Sequence, residues 1–320
     1  MKILVTGGSG FIGTNLIEKF LYEDKIEIKN IDIESPKIEA HYANWINCDI
    51  CNFNLLKKVF HKFQPDIVIH LAARTDLNGL HVENYPENVN GVENVIRCCN
   101  SVKNLKRAIF ASSMLVCRLG YQPNNDKDFC PTIAYGESKV KGEQLVRSMI
   151  RNDLEWIIVR PTSLWGPWFG VPYRNFFDIV RSGYFMFPRD LKVYRSYGFI
   201  LNSIDQLACL MYTNKKSALH KVHYLADYEP IELSHWANKI IEISKKGKVY
   251  RPPFILLKIV AIIGDLLKFV GFRSPPMSSF RLKNMTTNAV YGTDSIQNIC
   301  GNQSYSMHEG VEITVRWLDK

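Results

Sequence analysis

The stretch TGGSGFIG, residues 6–13, decides how the first half of the chain is interpreted. It follows an apolar, β-branched segment and precedes a segment with helical spacing. Glycine permits a tight turn, lets the backbone approach a pyrophosphate and allows a helix to pack closely on a strand. Between a strand and a helix, the pattern predicts a dinucleotide-binding turn with the pyrophosphate at the helix N-terminus. The residues expected to contact the dinucleotide here are Gly7, Gly10, Phe11, Ile12 and Gly13.

Segments typical of strands and helices alternate along the first half. Expected strands cover residues 3–6, 26–33, 67–71, 107–111, 156–159 and 222–225, and expected helices cover 14–22, 53–63, 89–101, 135–151 and 203–212. This alternation predicts an α/β fold, a Rossmann-type doubly wound parallel sheet with a smaller, mainly C-terminal substrate lobe. The expected dinucleotide-binding domain covers residues 1–161 plus about 191–227, and the expected substrate lobe covers about 162–190 and 228–320.

Composition and charge narrow the class of protein. The 320-residue chain is 46% hydrophobic and 22% charged, which is typical of a globular protein. Its net charge is +9, but the basic residues are spread out and form no zinc-finger or helix-turn-helix pattern. We therefore expect no nucleic-acid partner, and instead a general attraction to phosphates.

The eight cysteines form no recognisable disulfide framework. Cys48 and Cys51 have CxxC spacing, but neither a second pair nor a histidine cluster completes a metal site. We expect no bound metal and reduced thiols, as in a cytoplasmic protein. The N-terminus runs directly into a predicted strand and does not resemble a signal peptide.

The segment from 253 to 271 is very apolar. Lys258, Asp265 and Lys268 interrupt it, and at about 100° per residue they fall on one narrow face of a helix. A spanning helix would carry about 20 residues with few or no charges. The pattern therefore predicts a mostly buried amphipathic helix without membrane contact. Peripheral contact with a membrane or a partner is the alternative.

Two aspartates follow predicted strands. Asp32 lies nineteen residues after Gly13, where an acid accepts hydrogen bonds from the adenosine ribose and repels the extra phosphate of NADP. NAD is therefore favoured over NADP, and the alternative is an aspartate that caps the next turn. Asp49 and Ile50 follow the likely position of the third strand, where contact with the adenine and a simple turn role are both open.

The stretch AYGESK, residues 134–139, places a phenol one helical turn before an ammonium group. Residues four apart share one face of a helix, so Tyr135 and Lys139 can meet. A positive charge beside a phenol lowers its pKa, and the phenol can then exchange a proton with a substrate hydroxyl near neutral pH. The alternative is a pair of unrelated surface residues.

Motifs in the same order and spacing resemble the extended short-chain dehydrogenases/reductases of the nucleotide-sugar epimerase and dehydratase type. They are TGGSGFIG, HLAAR at 70–74, NVNG at 88–91, FASSMLV at 110–116, YGESK at 135–139 and RPTSLWGP at 160–167. The resemblance implies that Ser113, Tyr135 and Lys139 are catalytic. Tyr135 would be the acid/base, Lys139 would hold the nicotinamide ribose, and Ser113 would orient the reacting oxygen.

The resemblance also implies further binding residues. Leu71, Ala72 and Ala73 would let the cofactor pass over the sheet, and Asn88 would lie near the active site or merely start a helix. For a nucleotide-sugar substrate it implies Ser163 at the sugar, Asn175 near the nucleotide, Arg195 at the pyrophosphate and Arg281, or else Lys283, over the phosphates. It implies a homodimer through the helices near 89–101 and 135–150.

Departures from the family pattern narrow the expected chemistry. Met114 and Leu115 stand where dehydratases of this family place an Asp-Glu pair, and neither can move a proton. Cys117 is a core substitution or a second proton donor. The reaction expected is epimerisation at C4 of a nucleotide-linked hexose with NAD. The alternatives are a 4-ketoreductase or dehydrogenase of a nucleotide sugar or another alcohol, and a non-catalytic NAD-sensing protein.

Overall fold

The computed structural model describes residues 1–171, 173–270, 272 and 277–320. Its strands are β1 (Lys2–Thr6), β2 (Glu27–Asp32), β3 (Trp45–Asn47), β4 (Ile67–His70), β5 (Arg107–Ala111), β6 (Glu155–Pro161), β7 (Ser163–Trp165), β8 (Phe185–Met186), β9 (Tyr194–Arg195), β10 (Tyr197–Phe199), β11 (Lys221–Leu225), β12 (Ile231–Glu232) and β13 (Val249–Tyr250). Its α-helices are α1 (Phe11–Phe20), α2 (Phe53–Phe63), α3 (Val92–Ser101), α4 (Ala134–Met149), α5 (Tyr173–Ser182), α6 (Ile200–Tyr212), α7 (Leu233–Ser244), α8 (Phe254–Phe269), α9 (Ser279–Thr286), α10 (Asp294–Cys300) and α11 (Met307–Leu318).

Seven parallel strands form the central sheet, in the order β11-β6-β5-β4-β1-β2-β3. Alternate side chains of a strand face opposite sides, so Ile3 and Val5 of β1 pack with α1 and α6, whereas Leu4 packs with α2 and α3. The strand order reverses between β1 and β4, where α/β sheets bind ligands at the carboxyl ends of their strands. The predicted α/β fold is confirmed.

The second half adds short strand pairs outside this sheet. Strand β7 pairs with β10, β9 with β12, and β8 with β13, while β11 returns to the edge of the central sheet beside β6. Helices α5, α7 and α11 pack beside these pairs. The proposed division into two domains at 161, 191 and 227 stays a prediction.

Two local expectations are corrected. The helix expected over 89–101 begins with a π-helical turn, Glu87–Gly91, before α3. Cys209 of α6 and Cys300 of α10 are paired as a disulfide, so the expectation of eight reduced thiols is wrong for these two. The chain brings them together from 91 residues apart, because α6 and α10 pack on each other, and spacing alone does not reveal that contact.

The expectation of a mostly buried helix at 253–271 is also wrong. Only Leu257, Ala261 and Gly264 of α8 are buried, because its principal packing partner, α9, covers one side of it. Gly271 lies outside the described residues. Within the described ranges, no helix is both long enough and apolar enough to cross a membrane.

Candidate active site

The glycine turn connects β1 to α1 at the point where the strand order reverses. Gly7 has a φ of +75°, and a Cβ built there would lie 2.5 Å from the backbone nitrogen of Ala72. A Cβ on Gly13 would lie 2.4 Å from the carbonyl oxygen of Gly7. Only glycine fits these two positions. The N-cap of α1 is Gly10, and no side chain caps it, so the N–H groups of the first turn remain available to a pyrophosphate. That turn contains Phe11 and Ile12.

Two side chains of β2 support this turn. Asn30 Oδ1 accepts a hydrogen bond from the Gly8 N–H at 2.8 Å, and Asp32 Oδ2 accepts one from the Ser9 N–H at 2.9 Å. Asp32 Oδ1 also accepts from the Glu34 N–H, so it caps the next turn as well as lying beside the glycines. Burial raises the pKa of Asp32, and the backbone hydrogen bonds oppose that shift. Asn30 was missed, because nothing in the sequence distinguishes it from an ordinary strand residue.

The other side of this crevice is the segment after β4. The Leu71 N–H donates to the Thr6 carbonyl at 2.9 Å, which fixes Leu71 and the following Ala72 and Ala73 beside the glycine turn. The small side chains of Ala72 and Ala73 leave room for a dinucleotide to cross the sheet here. The glycine turn, the helix terminus and this segment together fit the cofactor.

Asn88 ties this segment to α4. Its Oδ1 accepts from the Arg74 N–H at 2.9 Å, and its Nδ2 donates to the Arg74 carbonyl at 3.0 Å and to Ser138 Oγ at 2.9 Å. Both amide hydrogens are therefore used within the protein. The geometry gives Asn88 a positioning role, and its direct contact with a cofactor stays a prediction.

Asp49 and Ile50 lie in the turn before α2. The Asp49 carboxylate accepts from the Cys51 N–H at 2.8 Å, which is the turn role, while Ile50 is buried against Gly91. Contact of either residue with an adenine stays a prediction.

The structure brings the three expected catalytic residues together. Tyr135 and Lys139 lie one turn apart on α4, and Ser113, which follows β5, lies close enough to Tyr135 to oppose the rise in the pKa of its phenol. All three side chains are buried. Lys139 Nζ donates to the Ala111 carbonyl at 2.8 Å. The phenol therefore lies at the carboxyl end of the sheet and not in bulk solvent.

In the protein without bound cofactor, the expectation that Lys139 lowers the pKa of Tyr135 is not met. Burial raises the pKa of Tyr135 to about 12, against the lowering effect of the neighbouring Ser113. Burial also lowers the pKa of Lys139 to about 8, and the charge of Glu143 opposes that shift. Desolvation disfavours the charged form of both groups, and it is the largest cause of both shifts.

A buried ion pair supports α4 one turn further on. Arg160 Nε lies 2.8 Å from Glu143 Oε1 and Arg160 Nη2 lies 2.9 Å from Glu143 Oε2, with both side chains 1% exposed. Ser112 Oγ donates to Glu143 Oε1 at 2.6 Å. This pair was missed, although Tyr135, Lys139 and Glu143 are spaced four residues apart and so share one helix face.

The expected substrate residues Ser163 and Arg195 lie in one group of tyrosines. Burial raises the pKa of Tyr173, and the neighbouring Ser163 opposes that shift. Tyr173 in turn adds to the raised pKa of Tyr135, so this group adjoins the catalytic one. Arg195 Nε donates to the Thr287 carbonyl at 3.2 Å, whereas its buried Nη2 finds no hydrogen-bond partner among the described residues. A buried guanidinium nitrogen without a partner is a donor that a phosphate oxygen can satisfy.

Three tyrosines of this group were not anticipated. Burial raises the pKa of each, and the charge of Arg195 opposes that shift. The hydroxyl of Tyr291 is buried without a partner among the described residues. The three tyrosines are Tyr173, Tyr197 and Tyr291. Separated in sequence by up to 118 positions, they carry no motif.

The other two expected substrate residues are exposed on helices. Asn175 is exposed on α5, and residues two apart on a helix do not face the same side, so it points away from Tyr173. Arg281 is exposed on α9, as is Lys283, and its backbone N–H donates to the N-cap Ser278. Their contact with substrate stays a prediction.

The residues after Ser113 are apolar. Met114 is buried against Ala289 and Tyr291, and Leu115 packs beside it. Cys117 is fully buried, its Sγ lies 3.4 Å from the Asp128 carbonyl, and burial raises its pKa. This geometry favours the core role for Cys117 over that of a proton donor.

Comparison with known proteins identifies the family of the chain. The model of the NAD dependent epimerase/dehydratase family matches residues 3–200. An N-acetyl-alpha-D-glucosaminyl-diphospho-ditrans,octacis-undecaprenol 4-epimerase of Escherichia coli O157:H7 is 23% identical over 325 residues, covering 99% of this chain and 95% of the relative. A dTDP-D-glucose 4,6-dehydratase of Dictyostelium discoideum is 30% identical over 193 residues, covering 52% of this chain and 44% of the relative.

Solved structures share the fold. A UDP-glucuronic acid 4-epimerase from Bacillus cereus, in complex with UDP-glucuronic acid and NAD, superposes with a TM-score of 0.74 at 20% identity, covering 100% of this chain and 99% of that one. The expected cofactor, NAD, is confirmed by the family and by such neighbours. Since the family model spans more than half of the sequence, the chain belongs to the NAD-dependent epimerase/dehydratase family.

Proposed function

We propose that the protein is a 4-epimerase of a hexose that is attached through a diphosphate to a nucleotide. NAD, when bound, would be the acceptor of the C4 hydride, and the transient 4-keto sugar would receive that hydride back on its other face. The observation that carries the proposal is the placement of the Tyr135 phenol, with Ser113 and Lys139, beside the crevice that the glycine turn opens.

Each of the three residues has a distinct task. Tyr135 exchanges the proton of the C4 hydroxyl, and Ser113 donates a hydrogen bond to the same oxygen. Lys139, with a pKa of about 8, is mostly charged at pH 7 and holds the nicotinamide ribose. Its charge favours the phenolate of Tyr135, whose pKa must fall from about 12 for proton exchange near neutrality.

The donor at Arg195 supports a phosphate-bearing substrate. Its Nη2 is buried, and among the described residues no acceptor satisfies it. A diphosphate oxygen would do so with a charge-assisted hydrogen bond. Ser163, held near Tyr173, would then contact the sugar between this arginine and Tyr135.

The side chains after Ser113 speak against a 4,6-dehydratase. Elimination of water needs a residue that can transfer a proton, and Met114 and Leu115 cannot. The Dictyostelium discoideum dehydratase matches about half of this chain. A match of that extent does not establish elimination as the reaction of this chain.

A second candidate substrate carries the hexose diphosphate on a lipid instead of a nucleotide. The relative that covers 99% of this chain is named for an undecaprenol-linked sugar. Helix α8, which is largely apolar and exposed, lies in the same part of the chain as α9 and Arg195's partner Thr287. The reaction at C4 would be the same.

Identification of the bound cofactor and of the product tests the reaction. The purified protein should retain NAD and interconvert UDP-hexoses at C4 without net formation of NADH, as followed by nuclear magnetic resonance of the sugar. Consumption of NADH or NADPH by a 4-keto sugar would instead establish a ketoreductase. Retained NAD without turnover of any sugar diphosphate would favour the NAD-sensing alternative.

A further inference from the structure

Helix α8 presents an apolar face that the rest of the described chain leaves uncovered. Phe269 is 90% exposed, and Ile255 and Leu266 are each 62% exposed. The full set is Ile255, Leu256, Ile259, Val260, Ile262, Ile263, Leu266, Leu267, Phe269 and Val270. Soluble monomers rarely expose a continuous apolar patch of this extent, and such patches mark interaction sites.

These side chains occupy one continuous half of the helix surface. At about 100° per residue, the ten positions fill roughly 180° of the circumference without a polar interruption. The opposite half carries the buried Leu257 and Ala261, which pack on Leu282 of α9. On the same half, Lys268 projects between Leu257 and Ala261, while Lys258 and Asp265 lie towards one edge. Asp265 accepts a hydrogen bond from the Ser279 N–H.

The length and pattern of α8 suit a helix that lies on a bilayer and does not cross it. Sixteen residues at 1.5 Å each span about 24 Å, which is less than the roughly 30 Å of a hydrocarbon core. A helix with one apolar half and one polar half lies in the interface, with its apolar side among the acyl chains. Phe280 on α9, 72% exposed, and Phe272 extend the same apolar surface.

The charges around the helix favour anionic lipid over a second protein copy. Among described residues between 248 and 283, the basic ones outnumber the acidic ones by six to one. The basic residues are Lys248, Arg251, Lys258, Lys268, Arg281 and Lys283, and the acidic one is Asp265. Two copies meeting through this face would bring like charges together, whereas an anionic bilayer surface attracts each of them.

We propose that α8 docks the protein on an anionic bilayer, lying parallel to the surface with its apolar half inserted. This goes beyond the reaction proposed above and does not depend on it. One consequence does rest on that proposed function. Thr287, directly after α9, accepts the hydrogen bond of Arg195 Nε, so docking would hold the phosphate-binding arginine close to lipid-borne substrates.

Vesicle flotation of the full chain tests the docking. The protein should float with vesicles of phosphatidylcholine and phosphatidylglycerol, and less with phosphatidylcholine alone or at high salt, since salt screens the basic residues. The variant Ile259→Glu/Ile263→Glu should lose about tenfold or more of its vesicle binding. The control variant Tyr22→Glu changes a residue that is 79% exposed and lies outside the expected C-terminal substrate lobe. This variant should bind vesicles as well as the unaltered chain does.

Three outcomes would overturn the proposal. The first is an unaltered chain that floats with neither vesicle. The second is an α8 variant that floats as well as the control. The third is a stable dimer in light scattering that the same α8 substitutions dissociate without any effect of lipid, which would assign the face to a second copy. Thermal melting of every variant shows that the fold is retained, and turnover of a UDP-hexose in solution reports the reaction separately.

Discussion

Helices α4 and α8 have the same length of sixteen residues and opposite relations between composition and burial. Helix α4 is rich in polar residues, yet Ser138, Lys139 and Glu143 are buried in it. Helix α8 is almost wholly apolar, yet nine of its apolar side chains, and that of Val270 directly after it, are exposed. The comparison shows that burial follows the position of a helix in the fold more than its composition. The buried polar residues of α4 belong to the candidate active site, and the exposed apolar residues of α8 form the proposed docking surface.

The physical difference lies in the partners of the two helices. Helix α4 packs against α3 and the loop after β5, so every polar group it buries needs a hydrogen bond or an ion pair, and Glu143 and Lys139 have them. Helix α8 has α9 as its principal partner, and its outer half meets none of the sheet layers. Desolvated charge and hydrated apolar surface are both unfavourable, and each is offset only by binding or by pairing.

The largest expected effect comes from the phenol on α4. Tyr135→Phe should lower kcat by about 10²–10⁴-fold, the contribution of a positioned general acid/base, while NAD stays bound. Phenylalanine preserves the edge contact with the Tyr85 ring, whose centroid lies 6.0 Å away. Steady-state kinetics and the NAD content of the purified variant measure both effects. Tyr212→Phe, at a half-exposed tyrosine of α6, is the control. Turnover that survives Tyr135→Phe would remove the proposed catalytic role.

The next effect concerns the buried ion pair beneath the active site. Glu143→Gln should lower the free energy of unfolding by about 3–5 kcal/mol, because Arg160 keeps its charge without compensation. Chemical denaturation measures this loss. The exposed pair Arg174–Asp178, on α5, provides the control, and Asp178→Asn should change the stability by less than about 1 kcal/mol.

The double variant Glu143→Gln/Arg160→Met sharpens the same experiment. It removes the uncompensated charge and should regain part of the loss. A Glu143→Gln protein as stable as the unaltered chain would show that the pair contributes no net stability and that α4 is held by its apolar contacts.

A smaller effect follows from the lowered pKa of Lys139. Its pKa is about 8 in the folded chain, against 10.5 for an ordinary lysine, so between these values the unfolded chain binds more protons. Relative to Lys139→Met, the cofactor-free protein should therefore gain stability as the pH rises from about 8 to about 10.5, by at most about 3 kcal/mol. Below pH 8 both states hold the proton and the difference is constant. Parallel stability curves over that range would contradict the burial of the ammonium.

The sequence predicts the part of the site that is local in the chain. The glycine turn, Asp32 and the Tyr135–Lys139 pair each lie within one strand–turn–helix unit or one helical turn, so spacing alone places them. The residues that were missed depend on contacts between distant segments. Glu143 meets Arg160 across 17 residues, and Asn30 meets Gly8 across 22. The tyrosines around Arg195 likewise come from α5, β10 and the segment after α9.

The wrong expectation for α8 has the same origin. Periodicity showed correctly that Lys258, Asp265 and Lys268 share one side of the helix. It could not show that this side faces the protein, because a pattern reveals two faces without saying which partner each one meets. Apolar residues were assigned to the core by default, whereas among the described residues the small cluster on the inner side of α8 is completed by α9 and Met277.

The smallest expected effect separates the two halves of α8. Leu257→Ala removes a buried side chain from the small cluster with Leu282 and should lower the unfolding free energy by about 2 kcal/mol. Ile263→Ala, at a position that is 51% exposed, should change it by no more than about 0.5 kcal/mol. Denaturation in the absence of lipid measures both. A larger loss at Ile263 than at Leu257 would mean that the outer half is already covered in solution, by a second copy or by another part of the chain. Equal small losses of unfolding free energy in the two variants would mean that α8 is held too weakly to α9 to keep its apolar half directed outward. The contrast between α8 and α4 would then reflect stability and not function.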